Sequence, residues 1–171
     1  KLPPNLPSVE KLNVLLISSA AFDKELKQKK LPGYEKEAIP QVLESAKNQG
    51  YINLHKLKNA TVNELRTYLT EHQGKDAPHV VHFDGHGIFA KKCKNENCGT
   101  IAKSISATHC DKCGTELPEA YGYLEFEGKG NKPDYVSARR LGALLQISGF
   151  ADGNKKSGGI ALVVLSACNS A

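Results

Sequence analysis

The chain has 171 residues, 40 % hydrophobic and 24 % charged with 15 glycines, ordinary proportions for a soluble globular protein long enough to bury one core. No apolar run approaches the roughly 18–20 residues of a membrane span, and the opening KLPPNLPSVE (1–10) lacks a signal-peptide hydrophobic region, which points to a cytoplasmic protein with no membrane partner. The net charge of +5 comes from scattered lysines, with only Arg66, Arg139 and Arg140 beside them, the pattern of a solvated surface and not of a nucleic-acid-binding face.

LNVLLIS (12–18) is apolar without alternation, as in a strand covered on both faces. After a polar loop over 22–34, residues 35–49 put Ala38, Ile39, Val42, Leu43 and Ala46 on one helical face, which Gly50 ends. Pro40 falls inside this pattern and offers a later start for the helix. INLHKL (52–57) alternates like a strand, and residues 61–72 open on a Thr61/Glu64 capping box with Val62, Leu65 and Leu69 inward. PHVVHF (78–83) reads as a strand and YGYLEFE (121–127) as an exposed strand or hairpin arm. Residues 136–147 carry the helical set Leu141, Leu144, Leu145 and Ile147; after a loop over 149–159, residues 160–167 form a buried strand. Strands alternating with helices predict an α/β domain with a mostly parallel sheet flanked by helices.

Chemistry in such sheets collects beyond the carboxyl ends of the strands. PHVVHF runs into DGHG and so into His86, while the last strand runs into Cys168. If the two strands are neighbours, an imidazole meets a thiol that otherwise ionises only near pH 8.5. The N–H of Gly87, with that of Cys168, could hold a developing oxyanion, and Gly85 would permit the turn that presents His86. His82 reads as a supporting hydrogen-bonding residue, and Asp84 as a turn cap or a group orienting an imidazole. Each residue also has a bland reading, Cys168 as a buried hydrophobe above all, and the residues alone leave both open.

HVVHFDGHG (79–87) followed by LVVLSACNSA (162–171) resembles the two signature blocks of the CHAT family, caspase-like cysteine proteases of clan CD related to caspases, separases and gingipains. The resemblance implies a caspase–haemoglobinase fold across 1–171, with His86 as general base, Cys168 as nucleophile and Gly87 in the oxyanion hole. His86 and Cys168 lie 82 positions apart, and setting aside the 28 residues of segment 91–118 leaves 54, close to the spacing of about 50 in caspases. Relatives with basic specificity carry an acid after the first strand, and Asp23 occupies that place. The family commonly sits in larger bacterial proteins under the control of a regulatory protein or of further domains of the same chain. With no methionine present, the expectation is a domain cut from a longer chain and incomplete at its C-terminus.

Segment 91–118 holds Cys93-x4-Cys98 and Cys110-x2-Cys113, each pair followed by glycine (Gly99, Gly114). Two such knuckles converge four thiolates on a structural Zn²⁺; His109 could replace Cys110, and a pair of disulfides is the rival, disfavoured in a reducing compartment. A closed four-thiolate site keeps no open position, so the metal would stabilise a small insertion placed as a lid or docking element. The leading expectation is a cysteine endopeptidase acting on proteins or peptides. Its rivals are an inactive or partner-activated caspase-like scaffold and a zinc-ribbon nucleic-acid module; Lys94, Asn95 and Lys112 fit the last poorly without aromatic residues to stack on bases.

Overall fold

The computed structural model describes residues 11–21, 23, 26, 33–129, 132–149 and 159–169, except the side chains of 33–36, 149, 168 and 169. Most of the loops expected at 22–34 and 149–159 fall outside the described residues. Six strands and three helices follow in the order β1 (Leu12–Ser18), α1 (Gly33–Asn48), β2 (Ile52–Lys56), α2 (Val62–Glu71), β3 (Val80–Ala90), β4 (Tyr121–Glu127), β5 (Pro133–Ser137), α3 (Ala138–Leu145) and β6 (Leu162–Asn169). The fold is mixed α/β. β2, β1, β3 and β6 run parallel, while β4 and β5 extend the sheet antiparallel.

One face of the sheet carries the main core. Leu15, Ile17, Val81, Phe83, Phe126 and Val136 meet Val62, Leu65 and Leu69 of α2 and Leu141 and Leu144 of α3. Phe83 and Phe126 pack at 5.1 Å between ring centroids. The Thr61 hydroxyl accepts the Glu64 N–H at 3.1 Å, as the capping box requires, but the Glu64 carboxylate turns back to the N–H groups of Lys58 and Asn59. The motif is therefore half a capping box joined to the preceding loop.

Several expectations change, among them the buried strand of residues 160–167: Leu162 and Leu165 are each 53 % exposed. α1 starts at Gly33 and contains Pro40, and its predicted apolar face is not buried as a unit: Val42 is 68 % exposed and Ala38 is exposed too. Residues 133–137 form a strand, so the helix expected from Val136 begins at Ala138, where Ser137 caps it by accepting the Arg140 N–H. The strand expected to stop at Phe83 continues to Ala90, because β4 takes over as partner of one edge from Gly87 while β6 pairs the other edge from Val80 to Gly87. With the ladder supplied on both sides, DGHG has no reason to turn. Gly85 is then needed for close approach, not for a turn: a Cβ there would meet Ser19 Cβ at 3.0 Å and the Phe83 ring at 3.1 Å.

Candidate active site

β3 changes partner within three residues. β1 pairs with it from Val80 to Asp84 and β4 from Gly87 to Ala90, on the same edge. His86 lies in the gap between them, 3 % exposed. Ser19 spans this junction, donating its N–H to the Asp84 carbonyl at 2.8 Å and its hydroxyl to the Glu125 carbonyl at 2.6 Å. A change of neighbour of this kind is where a sheet leaves room for chemistry beyond a strand's carboxyl end.

On the other edge of β3, β6 pairs in parallel from Val80↔Leu162 to Gly87↔Asn169, and Cys168 is the register partner of His86. Cys168 therefore lies inside β6, not past its end; its side chain lies outside the described residues. Four positions earlier, His82 Nε2 and Ser166 Oγ are 2.9 Å apart, a side-chain bond that locks the register delivering Cys168 to His86. Gly87 has a packing reason to be glycine, since a Cβ would meet Ala167 Cβ at 3.2 Å. Asp84 is buried; it sits within the strand, so the turn it was expected to cap does not exist.

Asp23 accepts a hydrogen bond from the Tyr135 hydroxyl and, at 3.3 Å, one from the Leu26 N–H. Tyr135 pairs with Glu125 across β5 and β4, so the loop after β1 is tied to the same face of the sheet that carries His86. Sequence reasoning missed two residues of this face. Tyr135 fell in a segment not read as a strand, and Glu125, fully buried, stood in a strand expected to be exposed.

A second cluster lies in the segment between β3 and β4. Cys93, Cys98, Cys110 and Cys113 have all four sulfurs within 4.8 Å of one another, and all four are free. Across the knuckles, Cys93 Sγ is 3.5 Å from Cys113 Sγ and Cys98 Sγ 3.7 Å from Cys110 Sγ, far beyond a disulfide's roughly 2.05 Å. Tetrahedral coordination with metal–sulfur bonds of about 2.3 Å separates sulfurs by about 3.8 Å, so the set fits a metal ion. Gly99 and Gly114 adopt φ of 57° and 71°, turning their N–H groups back to the carbonyls of Asn95 and Cys110. His109 bonds Thr108 and is not in the cluster. The repeated Cys-Gly-Thr was a readable signal left unused: Thr100 Oγ1 lies 3.2 Å from Cys98 Sγ and Thr115 Oγ1 3.3 Å from Cys113 Sγ. These hydroxyls lead the forces that lower both thiols below their ordinary range, Cys113 to about 6. Among the described residues no helix is long and apolar enough to cross a membrane.

Comparison with known families now decides the affiliation. A model described as CHAT domain matches residues 3–171. The chain belongs to the CHAT family. This is the caspase-like family of clan CD, and the match runs through both the β3–β6 pair and the cysteine segment. No curated protein matches the chain.

Burial pushes His82 below the ordinary 6.5, partly opposed by Asp84, and pushes His55 below it too, with the nearby His72 and Lys47 adding to the effect. Both rings are thus neutral in the folded chain at a pH where the unfolded chain binds protons. Their contribution to stability is complete above about pH 6.5 and is lost as pH falls through the window beneath it. Melting temperature should therefore decline between about pH 7 and 5.5, and His82→Gln should flatten part of that slope. A melting temperature level across the window would exclude this linkage.

Proposed function

We propose that this CHAT domain is a cysteine endopeptidase working through a His86–Cys168 dyad on a caspase–haemoglobinase-type sheet. The observation that carries the reading is the β3–β6 register, in which His86 and Cys168 are partners at the point where β3 changes neighbours. His86 takes the thiol proton, and the Cys168 sulfur attacks a peptide carbonyl, whose π electrons move to oxygen. The Gly87 N–H is our candidate donor to that oxyanion. Collapse breaks the C–N bond while the His86 imidazolium gives its proton to the departing amine. Water then attacks the thioester with His86 as base, releasing the acid and restoring the thiol. Asp23, shortly after β1 and bonded to the Tyr135 hydroxyl, is the candidate to receive a basic substrate side chain.

For the four-cysteine cluster we propose a structural Zn²⁺ held by Cys93, Cys98, Cys110 and Cys113. Four thiolates would fill the coordination sphere, so the ion would supply cross-linking and leave no open site for substrate.

The test is a peptidyl electrophile followed by mass spectrometry of the peptide containing Cys168, alongside cleavage of a diverse peptide library. The wild type should be modified at Cys168 and should cleave library members, and Cys168→Ala should do neither. If the wild type neither cleaves nor reacts, the endopeptidase reading is wrong for this chain; if it reacts but cleaves nothing, the scaffold reading gains.

A further inference from the structure

Glu125 is 0 % exposed on β4, and a carboxylate removed from water without a partner is costly. Its neighbours narrow the choice of partner. Gly87–Leu124 is the last pair of the antiparallel β3–β4 ladder, and the next residues beyond it on the two strands are His86 and Glu125. Side chains alternate faces along each strand, so these two residues fall on the face opposite Leu124. Packing agrees with this assignment: Phe126 and Leu124 join the core on the α2–α3 face, whereas Tyr123 and Tyr135 pack with Ile88 and Ala90 on the other. Two buried ionisable groups thus flank the junction on one face of the sheet.

The other nearby groups have their own engagements. Ser19 donates its hydroxyl to the Glu125 backbone carbonyl, and Tyr135, the cross-strand partner of Glu125, donates its hydroxyl to Asp23. Glu127, the next acid on that face, accepts from the N–H of Ala60 at 3.1 Å and of Ala20 at 3.4 Å. His82 pairs with Ser166.

We propose that Glu125 is a positioning residue for His86, its carboxylate orienting the imidazole and offsetting the positive charge that appears when the Cys168 proton moves to the ring. This rests on the dyad reading above. The titratable groups that share this region with His86 are Asp84 and His82 on β3, Tyr123 on β4, Tyr135 on β5 with Asp23 bound to it, Lys92 beside the Tyr135 carbonyl at 3.5 Å, and Cys168 on β6. Among these and Glu125, the acids are Asp84, Glu125 and Asp23, of which Glu125 adjoins the last β3–β4 ladder pair on β4 as His86 does on β3.

Site-resolved alkylation of Cys168 by iodoacetamide reads the effect through a ratio of rates at about pH 6.5 and about pH 9.5, which cancels changes in intrinsic thiolate reactivity. Glu125→Gln preserves shape and removes charge; it should lower that ratio about tenfold, as loss of one nearby opposite charge predicts, and Glu125→Asp should restore part of it. A ratio unchanged in Glu125→Gln but reduced in His86→Ala overturns the role of Glu125 and leaves the dyad standing. A ratio unchanged in both overturns the dyad first. Should Glu125→Gln fail to fold, the ¹⁵N titration of His86 in Cys168→Ala decides, since no thiolate is present to hold a proton on the ring. An imidazole titrating above its ordinary value of about 6.5 supports the carboxylate's role, and one titrating at or below it overturns it.

Discussion

Stripping the metal from the four-cysteine cluster is expected to unfold the knuckles while leaving the main core folded. The knuckles have little of their own to hold them: Cys93, Cys110 and Leu117 are the buried residues of their cluster, and the turns depend on single backbone bonds such as Cys93 N–H to Thr100 and Cys110 N–H to Thr115. A structural zinc site contributes about 10–16 kcal/mol in isolated finger peptides, far more than those contacts supply. The α2–α3 core shares no residue with the segment. Hydrogen exchange should therefore show the amides of Cys93, Cys110 and Gly114 losing protection after chelation, whereas Val81 and Phe83 keep theirs. The purified chain should carry one zinc ion, and Cys113→Ser should release it to a competing chelator. Protection at Cys93 and Cys110 that survives metal removal would count against a metal-dependent fold. The effect should also reach the site: Ile101 packs with Ala90 and Tyr135 on the sheet, so a melted segment uncovers the face that bears Glu125 and His86.

That coupling was not legible in the sequence, and the reason is tertiary. YGYLEFE alternates as Leu124 and Phe126 against Tyr123 and Glu125, and alternation alone assigns the second set to water. Here Tyr123 packs in one cluster with Ile101 of the knuckles and Leu26, neither of which is near it in the chain. β5 escaped for a local reason: it is five residues long, begins with proline and, among the described residues, pairs only with β4, so it presents almost no periodicity. Ser137 gave a usable signal, since its position as N-cap fixes the helix start at Ala138.

The cysteine knuckles were legible because ligand spacing is local chemistry, needing no knowledge of the sheet. The two residues of the proposed dyad were legible only as strand ends, through the apolar runs that precede them. The glycine before His86 misled: Gly85 read as a turn residue, yet it is required by close neighbours, Ser19 just past β1 and the Phe83 ring. A glycine selected for close approach and one selected for a turn look alike until the partner strand is known.

Replacing His86 with alanine should return Cys168 to the behaviour of an ordinary thiol. A free cysteine with a pKa near 8.5 is about 1 % ionised at pH 6.5, whereas a thiolate paired with an imidazolium is ionised throughout. Absolute rates understate the change, because a thiolate of lower pKa is also a weaker nucleophile, with a Brønsted slope of about 0.4–0.5 in disulfide exchange. The ratio of alkylation rates at about pH 6.5 and about pH 9.5 removes that term, and it should fall about 100-fold in the variant. The fold should tolerate the substitution: the β3–β6 ladder runs from Val80 to Gly87, and the His82–Ser166 bond is untouched, so circular dichroism should match the wild type. Ser166→Ala supplies the complementary case, loosening the register with both dyad residues intact, and should reduce the ratio less than His86→Ala does. A wild-type profile that already rises only near pH 8.5 would mean that Cys168 is a buried thiol which happens to neighbour a histidine, and the peptidase reading would fall with it.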